Sequence, residues 1–267
     1  GVNPINDVQL GLQTENGLGV SVTAISQESN NDAQYYRFTF EETYKIVAPR
    51  WTNIKAVPTW REFPFGIDLV QKAINDQICF NTENSNKIIL FDTTDFSENT
   101  VDTEVHFLSV DDFKIAHRYS ILVKQYVQTF EAHNYYSALK KLSTNENVFT
   151  QSQPGFLLGN ITSDTDPDKK VVGFFEVASF SSKRVFFNFE DFFQGQIRPF
   201  VQECNIFNFP LIQVSEAGVV NMISSPAISA LDGGKLIYYR GAYDLVSKVC
   251  GDCRELGSLT KPSFWID

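Results

Sequence analysis

YYRFTFEETYKIV, residues 35–47, is the stretch whose reading decides the fold. Tyr36, Phe38, Phe40, Tyr44 and Ile46 alternate with Arg37, Thr39, Glu41, Thr43 and Lys45. An apolar side chain at every second position turns one face of a pleated strand toward a core and leaves the other polar. Glu42 falls among the apolar positions, which predicts a strand end or a bulge there. Working outward, residues 17–26 read as a turn and a strand, and residues 118–128 alternate again, with Tyr119, Ile121, Val123 and Val127 on one side. Short strands are expected at 77–81, 87–91, 104–110 and 235–240, and a hairpin or two paired strands within 171–189.

Helical spacing is scarcer. Thr129 is a candidate N-cap for Ala132, Tyr135, Tyr136, Leu139 and Leu142, which keep the i, i+3, i+4, i+7 rule and predict an amphipathic helix near residues 130–142. Ile67, Val70 and Ile74 predict about two further helical turns. Residues 48–66 hold Pro49, Pro58 and Pro64 among Trp51, Trp60, Phe63 and Phe65, which reads as a long aromatic loop because proline cannot donate to a sheet ladder.

Composition agrees with a β protein: 24 Phe and 10 Tyr stand beside a single Met, and aromatic side chains suit pleated surfaces. At 267 residues the chain can bury a core without needing disulfides to fold. The formal charge of −10 argues against nucleic-acid binding, because phosphate neutralisation needs clustered cations and the longest basic runs are Lys169-Lys170 and Lys183-Arg184. No apolar run approaches the roughly 20 residues that cross a bilayer. The stretch from Gly1 to Asn6 has no initiating Met, basic region or apolar region, so a mature fragment is expected.

The expected fold is mainly β: an immunoglobulin- or fibronectin-like sandwich over residues 1–200 with one inserted amphipathic helix, and a Cys-containing segment, 201–267, packed on it. A mixed α+β domain is the alternative.

The four cysteines are Cys79, Cys204, Cys250 and Cys253. The Cys250-Gly-Asp-Cys253 spacing occurs in redox and zinc sites. A redox motif should open a helix after a strand, and zinc would need two more ligands, which His106, His117 and His133 do not supply in a paired spacing. Structural disulfides in an oxidising compartment are the better reading, with Cys204 the natural partner of one member of the pair and three pairings open. Asp164, Asp166 and Asp168 weakly suggest calcium, but the EF-hand pattern fails and a solvated turn is expected. Trp51, Trp60, Phe63 and Phe65 either form an exposed binding platform or cap the core. No cofactor or metal is expected.

Five ordered blocks carry a resemblance: YYRFTFEETYKIVAPRW (35–51), RYSILVKQY (118–126), EAHNYYSALKKL (131–142), GNITSDTDPDKKVVGFFEVASFSSKR (159–184) and the ending CGDC…KPSFW (250–265). Together they resemble a family of Bacteroidota lipoproteins known as the domain of unknown function four-two-four-nine. The resemblance implies a lipid-anchored protein of the outer membrane or cell surface, with a TonB-dependent outer-membrane receptor as partner. It also implies an N-terminal lipidated and immunoglobulin-like part that this chain lacks, so that contact with the membrane would be through that anchor alone. The function expected is a non-enzymatic accessory domain for ligand capture or docking beside the transporter. The alternatives are a stand-alone glycan- or peptide-binding module and a hydrolase with no recognisable motif.

Overall fold

The computed structural model describes residues 4–15, 17–27, 33–60, 66–96, 100–144, 157, 159–166, 168–209, 212–214, 220–222, 225–241 and 244–267. The protein is mainly β. Its strands are β1 (Asp7–Gln13), β2 (Gly19–Ser26), β3 (Tyr35–Val47), β4 (Ile54–Trp60), β5 (Gly66–Gln71), β6 (Ile78–Asn84), β7 (Ile89–Asp92), β8 (Val101–Ser109), β9 (Arg118–Gln128), β10 (Ser179–Asn188), β11 (Ile206–Asn208), β12 (Ile212–Val214), β13 (Val220–Met222), β14 (Leu236–Arg240) and β15 (Asp244–Ser247). The helices are α1 (Phe130–Thr144), α2 (Phe189–Phe192), α3 (Ser225–Asp232) and α4 (Lys248–Gly251). Sheets run in the orders β1-β2-β8, β10-β9-β3-β6 with β7 also on β3, and β11-β15-β14, beside the ribbons β4-β5 and β12-β13. No helix among the described residues is long and apolar enough to cross a membrane.

The chain forms two compact units, one of residues 1–42, 83–110 and 120–187, the other of 43–82, 111–119 and 188–267. The Cys-containing residues 201–267 thus belong to a unit that also takes in earlier parts of the chain.

In the first unit, β2 is central to a three-stranded antiparallel sheet, and its Val20, Val22 and Ala24 are wholly buried by the alternation of GVSVTAIS. The register between β2 and β8 slips after the Val22–His106 pair, so that Thr23 faces Glu104 and Val105 is the extra residue. Such a bulge re-aims the side chains beyond it. His106 stacks on Phe40 of β3, ring centroids 4.3 Å apart, with its Nε2 3.6 Å from Glu42. Tyr36, Phe38 and Phe40 supply the opposing layer together with Ile121 and Val123 of β9, which gives the sandwich. Glu42 therefore corrects the expectation of a strand end: it sits within β3, buried in step with the alternation.

Helix α1 starts where the sequence predicts, with the Thr129 hydroxyl accepting from the Ala132 amide at 3.2 Å. Arg37, on the other face of β3, fixes it. The guanidinium lies 4.5 Å from the Tyr126 ring and 4.6 Å from the Tyr136 ring of α1, and pairs with Glu176 at 3.1 Å. Gln128 donates to the second Glu176 oxygen at 2.9 Å. Each desolvated cation–ring contact contributes about 1–2 kcal/mol. In the predicted hairpin region only β10 forms a named strand; residues 173–178 run outside regular structure.

In the second unit, Tyr44 and Ile46 continue the buried apolar face of β3, and Ile115, Phe189, Leu245 and Val246 are buried as well. The end of the chain is stitched to β6: Phe80 and Ser258 exchange backbone hydrogen bonds of 2.8 Å, and Trp265 meets Phe80 edge-on at 5.0 Å. Gly257 is required there, because a Cβ would lie 2.6 Å from the Phe80 carbonyl. All four cysteines pair, Cys79 with Cys253 and Cys204 with Cys250. Closing spans of 174 and 46 residues removes about 5 and 4 kcal/mol of unfolded-chain entropy in the simplest treatment.

Two local readings are corrected here. Ile54–Trp60 and Gly66–Gln71 pair as the antiparallel strands β4 and β5, where the sequence reading has a loop followed by helix. Pro58 is tolerated because a two-stranded ribbon consists of edges, where a missing N–H costs no ladder bond. Ile67 and Val70 obey strand pairing to Pro58 and Lys55, which overrides their spacing of three.

Candidate binding pocket

The sequence places Lys72 and Asp76 four residues apart on the stretch that leaves β5. Asp76 is 3% exposed, and a buried carboxylate must find donors. It accepts from the Trp51 indole N–H at 2.8 Å, from Lys72 Nζ at 2.9 Å and from Arg254 Nη2 at 3.3 Å. Lys72 also donates to the Gly251 carbonyl at 3.4 Å. Arg254 grips Asp252 with two further bonds, Nε to Oδ1 at 2.8 Å and Nη2 to Oδ2 at 2.6 Å.

Burial alone would raise the Asp252 pKa, but the hydrogen bonds from the Arg254 side chain and backbone outweigh it and hold the carboxyl below its ordinary value. The same bond from Asp252 raises the Arg254 pKa. Both stay charged at neutral pH.

These groups form the polar end of a cavity of about 320 Å³ within the second unit. Ile54 and Ala56 of β4, Leu231 of α3, and Leu236 and Tyr238 of β14 form its apolar wall, packed around the buried pair Tyr238 and Leu245. The volume falls within the range of about 300–1,000 Å³ usual for small-molecule sites. Lys55 and Lys248 complete the rim, Lys248 pairing with Glu255 at 2.7 Å.

Of the aromatic residues singled out in the sequence, Trp51 is half-buried and spends its N–H on Asp76, which makes it a support of the pocket's polar end. Trp60 lies in β4 opposite Gly66; its side chain, and Phe63 and Phe65 altogether, fall outside the described residues. Cys204, Cys250 and Cys253 are all in disulfides, and Cys250 and Cys253 each reach a different distant cysteine rather than each other. Asp164, Asp166 and Asp168 are exposed and form a turn, the Ser163 hydroxyl accepting from the Asp166 amide. Among the described residues no three His, Cys, Asp or Glu side chains have the arrangement of a metal site.

Sequence reasoning did not find Lys55, Lys72, Asp76, Asp252, Arg254 or Tyr238. The Lys72–Asp76 spacing was the one local signal. The other residues converge from β4, β14 and the CxxC segment, and no sequence proximity links those three.

Fold and cavity together define a disulfide-braced antiparallel β protein with an amphipathic pocket. The chain belongs to the family described as Domain of unknown function (DUF4249), whose profile matches residues 2–184. The match takes in β4 and the Lys72–Asp76 turn and stops before β14 and the CxxC segment. No curated protein and no solved structure matches the chain.

Proposed function

We propose that this chain is a non-enzymatic capture domain of a lipid-anchored accessory protein, working at the outer membrane beside a TonB-dependent transporter. The observation that supports capture is the pocket itself, about 320 Å³ with an apolar wall and a charged end. Its central ionisable groups, Lys72, Asp76, Asp252 and Arg254, are bound to one another, an arrangement suited to shaping a fixed surface for a ligand. The setting beside a transporter rests on the family resemblance. Exposed Phe175 and Val177 in the first unit offer an apolar surface for docking in that reading.

A pull-down of the full-length protein from native membranes tests the assignment. A TonB-dependent receptor should co-purify. Recovery of no receptor, in detergents that keep other receptor complexes intact, refutes the setting.

A further inference from the structure

The pocket's charge is opposite in sign to the chain's. The protein carries a formal −10, yet the cavity is lined by the cations Lys55, Lys72, Lys248 and Arg254 against the carboxylates Asp76 and Asp252, with Glu255 beside it on Lys248, which leaves one cation in excess. Asp76 and Asp252 are already occupied by Lys72 and Arg254. Lys55 is exposed and has no ion-pair partner among the described residues, and Arg254 uses Nε and Nη2 only, leaving Nη1 unpartnered among them. Donors therefore remain at the polar end, while the carboxylate acceptors there are taken. A ligand seated here meets spare N–H groups at one end and Ile54, Ala56, Leu231, Leu236 and Tyr238 along its body.

We infer that the pocket takes an amphipathic organic anion, a single carboxylate on a short aliphatic body, with the acid held by Lys55 and Arg254 and the body against β4, α3 and β14. A neutral sugar would leave the aliphatic wall poorly covered, and a cation would face the spare donors. The inference rests on the capture reading and narrows it to one ligand class. Lys55 is exposed, where dissolved salt screens its charge, so affinity should fall as salt rises.

Calorimetric titration of the oxidised full chain with octanoate, 1-octanol, maltotriose and a neutral tripeptide tests it. Octanoate should bind, and 1-octanol should bind at least about tenfold more weakly. Lys55→Glu should weaken octanoate about tenfold or more without lowering the melting temperature, because Lys55 holds no ion pair among the described residues. Ala56→Phe, confirmed folded by circular dichroism, should abolish octanoate binding by filling the cavity.

Equal binding of octanol and octanoate, or an unchanged Lys55→Glu, overturns the anionic ligand and leaves capture standing. Binding of maltotriose or the tripeptide that Ala56→Phe blocks, with none of octanoate, does the same. No binding of any of the four overturns both readings.

Discussion

Asp76→Asn is the sharpest probe of how the pocket is held. The change keeps side-chain volume and leaves an oxygen for the Trp51 indole, now 2.8 Å away, but removes the charge that Lys72 and Arg254 share. Arg254 keeps Asp252. The Lys72 side chain is only 11% exposed, and its ammonium is left with neutral acceptors alone, the retained side-chain oxygen at position 76 and the Gly251 carbonyl. Breaking a buried pair from one side costs about 3–5 kcal/mol, since the orphaned charge stays desolvated; the surviving carbonyl bond puts the expectation near about 3 kcal/mol. At a urea dependence of about 3 kcal/mol per molar, the unfolding midpoint should fall by about 1 M. Adding Lys72→Met removes the orphaned ammonium while keeping its aliphatic stem, and the double variant should recover about 1–2 kcal/mol of the loss. Equilibrium urea unfolding of the unaltered protein and the two variants, followed by tryptophan fluorescence with both disulfides intact, measures this directly. A single-variant loss under about 1 kcal/mol, or a double variant no more stable than the single, refutes the view that Asp76 neutralises a buried charge.

Two further outcomes follow from groups outside the pocket. His117 titrates at about 4, chiefly because burial disfavours the imidazolium, with Arg198 and Lys45 adding to it and Glu190 opposing. Unfolded histidine titrates near 6.5, so between pH 6.5 and 4 the unfolded chain binds the extra proton and stability drops as pH falls through that window. The His117 ring resonance should show a midpoint near 4, raised by Arg198→Gln yet still below 6.5, and a midpoint above 6 in the unaltered protein contradicts the assignment. Arg37→Lys should free α1, because an ammonium cannot lie flat between the Tyr126 and Tyr136 rings while reaching Glu176. A loss of about 1–2 kcal/mol is expected, with hydrogen-exchange protection falling across 130–144 and not in β2; unchanged protection of α1 would count against it.

What the sequence makes legible is what depends on near neighbours. β3 is readable because its period of two persists from Tyr36 to Ile46, and α1 because Thr129 and the apolar stripe agree. Glu42 misleads because its partner, His106, arrives from β8, and a carboxylate on a core face looks like an interruption when the imidazole beside it is out of view. The β4-β5 hairpin is hidden by Pro58, whose cost disappears only once the strand is known to be an edge. The pocket is hidden more deeply. Lys72, Asp252 and Arg254 each read as a solvated charge until Asp76 is known to be buried among them, and burial is decided by strands far along the chain.

The CxxC segment shows why such a cluster needs the disulfides. Lys248, Asp252 and Arg254 lie within seven residues of one another on two short helical turns, too short to hold charged side chains in a fixed geometry by their own hydrogen bonds. Cys250 is tied to Cys204 and Cys253 to Cys79 of β6, so both sides of Asp252 are anchored at once. Gly251 completes the fit, because a Cβ there would lie 2.7 Å from Ile237 of β14, and the close approach delivers the Gly251 carbonyl to Lys72. With the backbone fixed on both sides of Asp252, less of the chain remains to be ordered when the ion pairs form. Arg254, held on Asp252 with its Nη1 unpartnered among the described residues, is thereby presented already ordered, which is the condition under which a small ligand gains affinity from few contacts.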